Sequence, residues 1–184
     1  LDRETSGLVV LARTLEASQR LMKRFANGEV HKQYLAVVEG QPQDAFTVDA
    51  PIAEGTELIR IAVRIDASGK AARTRFVVEQ RFERAGEQFA VVRCFPETGR
   101  QHQIRVHLKH VGFPLVGDKM YGPDPMFFDR FSKHQLEPEA MVKLRLPRQA
   151  LHAAVLEFTH PMTGAPTRFE AALPADLRDF IEGR

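Results

Sequence analysis

The sequence predicts a strand-rich, mixed α+β domain, and three observations carry that expectation. Between Phe46 and Pro96, apolar and polar residues alternate between successive turn signals. The stretches 30–39 and 151–158 are apolar runs of strand length. Helical spacing of apolar residues appears near 15–26, 104–111 and 175–181, between and after those strands.

Taken in order, Leu1-Asp2-Arg3-Glu4-Thr5-Ser6-Gly7 is a polar turn ahead of an apolar run. Read alone, Asp2 is an ordinary solvated turn residue. Leu8 to Ala12 is expected as a buried strand. Thr14 is placed to cap a helix from about Leu15 to Ala26 whose apolar face is Ala17, Leu21, Met22 and Phe25. Asn27-Gly28 supplies a left-handed stop. Val30 to Glu39 sets Tyr34, Ala36 and Val38 on one side and Leu35 and Val37 on the other, which predicts a strand buried on both faces.

In the meander, Ile59, Ile61, Val63 and Ile65 alternate with Arg60, Ala62, Arg64 and Asp66. Asp66 to Lys70 is a turn, and Arg73 to Val78 is expected to return as the second arm of a hairpin. That hairpin would gather Arg60, Arg64, Lys70, Arg73 and Arg75 into a polyanion-binding patch. Alternating basic residues equally suit the wet face of an antiparallel sheet. After the Arg84-Ala85-Gly86 turn, Gln88 to Phe95 forms another strand, with Cys94 in its core-facing pattern.

From Pro96 to Gly112, turn residues give way to a helix. Ile104, Leu108 and Val111 make its buried stripe, and His102, Arg105 and Lys109 lie on a neighbouring polar stripe suited to lining a cleft. The histidines here lack Cys or carboxylate companions in a ligand pattern, so no metal is expected. Gly117 to Gly122 is a tight polar turn, and the segment to Gln149 reads as a long connection with room for a short helix. Leu151 to Phe158 and Thr167 to Ala171 pair around the His160-to-Gly164 turn, and Ala175 to Ile181 closes as a helix.

At 184 residues and 43% hydrophobic content, the chain can bury one sizeable core, so residues 1–184 are expected to be a single domain. Lys plus Arg exceed Asp plus Glu by only 26 to 24, so a polyanion site must come from local clustering of charge. A single cysteine excludes an intrachain disulfide framework and fits a reducing compartment. No apolar run approaches the roughly 20 residues of a membrane span. A cytoplasmic protein is expected, and the opening on Leu1 rather than Met suggests that upstream sequence is missing.

Five stretches, read together, carry a resemblance. They are Leu1-Asp2-x-x-Thr5-Ser6-Gly7, Lys32-x-Tyr34-x-Ala36-x-Val38-x-Gly40, Gly99-Arg100-x-His102-Gln103-Ile104-Arg105-x-His107, Gly117-Asp118-x-x-Tyr121-Gly122 and Leu151-His152-Ala153. In this order they resemble the motifs of the RluA-type pseudouridine synthases. Gln101 stands where that family often has Thr, and the His-Arg pair that usually precedes the first Leu falls before the chain begins.

The resemblance implies a pseudouridine synthase fold, with a long, mainly antiparallel central sheet, flanking helices and a central cleft. It implies isomerisation of uridine in rRNA or tRNA to pseudouridine, with no cofactor or metal and RNA as the partner of a monomer. Asp2 is then the reactive carboxylate, Arg105 its charge partner through a bidentate pair, and Tyr34 the aromatic face that holds the detached base. Arg3, Arg100, His102 and Arg73 are candidate RNA contacts, and Leu151 a candidate apolar wall. Base flipping is expected, because a paired uridine is inaccessible to such a pocket. Two other classes compete: a non-catalytic RNA-binding module of the same fold, and a glycosidase. The latter needs a second carboxylate near the first, and no other acidic residue has a motif-level claim.

Overall fold

The computed structural model describes residues 1–55, 61–124 and 126–184. In chain order, the elements open with β1 (Ser6–Gly7), α1 (Leu15–Ala26), β2 (His31–Glu39), β3 (Ala45–Asp49) and β4 (Ile52–Glu54). The middle of the chain supplies β5 (Val63–Ile65), β6 (Arg73–Arg84), β7 (Glu87–Pro96) and α2 (Gln103–His110). Then follow α3 (Met126–Ser132), α4 (Pro138–Leu144), β8 (Leu151–Thr159), β9 (Pro166–Glu170) and α5 (Ala175–Glu182).

Seven strands form one sheet in the order β1-β8-β2-β7-β6-β3, with β9 also paired to β8. Among the described residues, only the short β1–β8 pairing is parallel. The fold is therefore mixed α+β around a mainly antiparallel sheet, as expected.

The sheet is dry on both faces at its centre. On one face Tyr34, Ala36, Val38, Val92 and Cys94 pack against Ile104 and Leu108 of α2. On the other, Val37 and Phe89 pack against Leu177 and Phe180 of α5. This is the two-sided alternation expected of β2. The β6–β7 hairpin turns at Ala85 and Gly86, both with positive φ. The Thr14 hydroxyl accepts from the Ala17 amide, which satisfies one of the donors left free at the start of α1. The long connection after Gly122 contains two short helices, α3 and α4.

Two expectations are corrected. Residues 8–12 are not a buried strand: Val9 is 59% and Leu11 84% exposed, and only Leu8 and Val10 pack inward, near Leu21 and Val30. The cause lies at Gly7. Its φ of +107° turns the chain after two paired residues, and from Val155 onward the same edge of β8 is taken by β9, so no ladder continues. An added Cβ there would enter the Ala153 backbone, so only glycine permits this approach.

The basic hairpin is the second correction. Strand β5 pairs with β4 in a separate two-stranded sheet, whereas β6 pairs with β3 and β7. The arms thus belong to different sheets, and Arg64 and Arg73 do not share one. Ile59 and Arg60 of that expectation lie outside the described residues.

Candidate active site

Asp2 sits near the chain's first residue, where fraying is the default, yet several contacts anchor it. The Thr5 amide donates to the Asp2 carbonyl at 3.0 Å, closing a turn. Ser6 and Gly7 pair with His152 and Ala153 of β8, and the Ser6 hydroxyl lies 3.0 Å from His152 Nδ1. Lys119 donates to both Glu4 oxygens at 2.8 and 3.0 Å. Buried Gln149 donates to Thr5 Oγ1 at 2.7 Å and reaches Asp2 Oδ2 at 3.5 Å. The reactive candidate is held by the sheet edge on one side and the turn after α2 on the other.

Arg105 comes from the first turns of α2, whose stripe of Ile104 and Leu108 fixes that helix on the sheet. Its Nη1 donates to Asp2 Oδ2 at 2.9 Å. Its Nε and Nη2 form a bidentate fork with Asp118, both at 2.8 Å. The expected bidentate partner was Asp2, but the structure gives that geometry to Asp118 and a single contact to Asp2. A guanidinium presents five donors in a plane, so one side clamps Asp118 while Nη1 remains for Asp2.

Asp118 is fully buried. Its Oδ1 also accepts from the Met120 and Tyr121 amides at 2.9 and 3.0 Å. Burial pushes its carboxyl pKa up, but the Arg105 guanidinium and these amides outweigh that and hold it below the ordinary carboxylate value. Burial likewise works against charge on Arg105, and Asp118 followed by Asp2 overcomes it, keeping the guanidinium firmly protonated. Gly117, just before Asp118, has a φ of +74° and lies against the Arg148 carbonyl, where a side chain would collide.

A pocket of about 100 Å³ opens over Asp2, lined by Tyr34, Leu151, Ile104, Arg100, His102 and Arg105 among others. Tyr34 is half-buried, and burial, then the Asp2 charge, raises its phenol pKa, so it remains a neutral phenol at pH 7. His102 has a left-handed backbone and places Nδ1 3.0 Å from the Tyr121 hydroxyl and Nε2 3.9 Å from Asp2 Oδ1. Burial and then Arg105 depress its pKa, which makes it a neutral imidazole at pH 7.

The structure brings Asp2, Arg105, Tyr34, Leu151, His102 and Arg100 to this pocket. Arg100 is exposed, with its Nε donating to the Ala71 carbonyl at 3.1 Å. Arg3 lines a neighbouring cavity of about 610 Å³ that shares Asp2, His102 and Arg105. Arg73 lines neither and instead faces Asp49 and Glu97 on the surface. Among the described residues, no group of three or more His, Cys, Asp or Glu is arranged to hold a metal ion.

A family model described as RNA pseudouridylate synthase matches residues 1–110. The chain belongs to that family.

The similarity runs beyond the matched segment. The chain is 42% identical to ribosomal large subunit pseudouridine synthase D of Xanthomonas campestris, across 98% of this chain and 52% of that protein. It is 40% identical to the RNA pseudouridine synthase YlyB of Bacillus subtilis, across 99% of this chain and 53% of the relative. It therefore spans about half the length of the curated relatives it matches. The structure of human RNA pseudouridylate synthase domain containing 1 superposes with a TM-score of 0.75 at 28% identity, covering 94% of this chain and 66% of that one. The expected RluA-type pseudouridine synthase fold is thus the observed one.

Within this RNA pseudouridylate synthase fold, sequence reasoning missed the roles of Asp118, Tyr121 and Gln149. The first two stand in a motif that was legible, but a Gly-Asp turn looks the same whether its Asp faces water or a buried guanidinium. Gln149 carries no pattern at all. Its place between Thr5 and Asp2 follows from a contact across 144 residues of chain.

Proposed function

We propose that this chain isomerises specific uridines in structured RNA, ribosomal or transfer, to pseudouridine. The observation that carries the reading is the Asp2 carboxylate held 2.9 Å from Arg105 in a pocket that Tyr34 and Leu151 also line. In this reading Asp2 acts on the sugar, as nucleophile at C1′ or as base. The N–C1′ bond breaks, the uracil turns within the pocket, and a ring carbon rebinds C1′, displacing Asp2 where it had bonded there; the proton lost from that carbon is matched by one taken up at the freed ring nitrogen, so the product is an isomer. Arg105 aims the carboxylate, and is itself aimed by Asp118.

Tyr34 supplies a stacking face for the detached base and, as a neutral phenol, a hydrogen-bonding group rather than a phenolate base. Leu151 closes the apolar wall. The target uridine enters by flipping out of its stack. The reading uses no cofactor and no metal, and the chain acts as a monomer on RNA in the cytoplasm. Arg3, Arg100 and His102 border the entrance and are its candidate RNA contacts.

A glycosidase would need a second carboxylate free to protonate a leaving group or activate water. Asp118 is near Asp2, but it is sealed from solvent and its oxygens are taken up by Arg105 and two amides. That favours the isomerase reading. The experiment is to map pseudouridines in RNA from cells with and without the protein. At least one site should vanish when it is absent, and identical maps would contradict the reading.

A further inference from the structure

Several cations in and near the site already have carboxylate partners, while Arg3 and Arg100, which form no ion pair among the described residues, are exposed to solvent. Arg105 is paired to Asp2 and Asp118, Lys119 to Glu4, and Arg73 to Asp49 and Glu97. Lys32 differs from them. It lies on β2 two residues before Tyr34, half-buried, and among the described residues it forms no ion pair. Its Nζ sits 5.9 Å from the centre of the Phe25 ring on one side. On the other, it stands 3.6 Å from where a side chain on Gly99 would begin.

The absence of a side chain at Gly99 leaves the ammonium open toward the pocket. Burial lowers its pKa, with no neighbouring charge opposing the shift. A partly desolvated cation without a counter-charge is costly to keep in a folded protein, so its place at a site points to a charge that arrives with a ligand.

The cavities around Lys32 say where that ligand runs. Lys32 lines the Tyr34 pocket and also a groove of about 400 Å³ bordered by His31, Gln33, Arg75, Phe95 and Glu97. Arg75, the other strong cation of this groove, places its guanidinium carbon over the Phe95 ring, 3.8 Å from its centre, and likewise forms no ion pair among the described residues. The cation–π contact holds its guanidinium in place while leaving it without a carboxylate partner. Glu97, the groove's acidic residue, faces Arg73 at 3.4 Å.

We propose that Lys32 and Arg75 form a two-point phosphodiester track, in which Lys32 binds the phosphate of the flipped nucleotide and Arg75 the next phosphate along the strand. The track deepens the proposed function, since it specifies how the RNA backbone leaves the pocket. Of the expected basic patch it keeps only Arg75, and it adds Lys32.

The test is the salt dependence of binding of the 184-residue chain to an oligouridylate, with pseudouridine formation in cellular RNA measured separately. Each phosphate contact on a single strand contributes about 0.7 to the slope of log K against log salt. Lys32→Gln and Arg75→Gln should each flatten the slope by about 0.7, the double variant by about 1.4, and Lys32→Arg should restore it. Arg73→Gln should leave the slope unchanged. Slopes that stay at the parent value in both single variants would overturn the track, as would a parent chain that does not bind the oligouridylate. Flattened slopes alongside unaltered pseudouridine maps would uphold the track and remove the isomerase. Active parent protein with unmoved slopes would do the reverse.

Discussion

Arg105 and Arg73 each face two carboxylates, Asp2 and Asp118 for the first, Asp49 and Glu97 for the second. Their settings are opposite. Arg105 is buried and meets its partners at 2.8 to 2.9 Å through a planar fork. Arg73 is about half exposed, and its partners stand 3.4 and 3.7 Å away and more than half exposed themselves. At the surface, water and salt screen such a pair to a contribution of about 0–1 kcal/mol. In the interior, removing one member of a pair strands the other charge in a medium that cannot solvate it. The same residue type therefore builds a fixed site in one place and a solvated surface in the other, and the lesson is that counting arginines does not locate function.

That contrast can be broken at its strongest point first. Asp118→Ala removes both forked contacts and leaves Arg105 buried with only Asp2. Stability should fall by about 3–5 kcal/mol, read as a lower urea midpoint with an unchanged slope. Gly7→Ala tests the anchoring of Asp2. The strained φ and the collision with Ala153 should cost about 1–3 kcal/mol. Pseudouridine formation should fall further than stability alone explains, because the turn holding Asp2 must shift.

The pH dependence of unfolding sharpens the same comparison. The folded pKa of Asp118 lies below its ordinary value of 3.8, so its contribution is fully present above that value and is lost as the pH falls through the folded pKa. Acid titration should therefore show a stability loss beginning near pH 4 in the parent. A variant carrying Asp118→Asn should lack that component. The smallest effect belongs to Arg73→Gln, which should change stability by at most about 1 kcal/mol.

Much of this was readable before any coordinates. The helix at 15–26 declared its Thr14 cap and its Asn27-Gly28 end, and β2 declared burial on both faces by alternating Tyr34, Ala36 and Val38 with Leu35 and Val37. Local periodicity and capping chemistry suffice for such elements. They fail where partner choice decides. The run at 8–12 is apolar enough for a strand, but the chain turns at Gly7 and β9 holds the rest of that edge of β8. The strands at 63–65 and 73–84 look like two arms of one hairpin, yet each pairs elsewhere, and that dispersal dissolves the expected basic patch.

At the site, the pairing of Asp2 with Arg105 was legible through the order of motifs. Which carboxylate takes the bidentate fork was not, because the answer depends on a buried turn 13 residues beyond Arg105.

The central claim is that Asp2, pinned by Arg105, is the group that performs the reaction. The most direct measurement compares parent and Asp2→Asn chains on the RNA whose pseudouridine depends on the protein, separating uridine from pseudouridine by nucleoside chromatography. The account predicts pseudouridine from the parent, a loss on the order of 10⁴-fold or more in the variant, and similar RNA affinity for both. Pseudouridine formed at comparable rates by the two chains would contradict it.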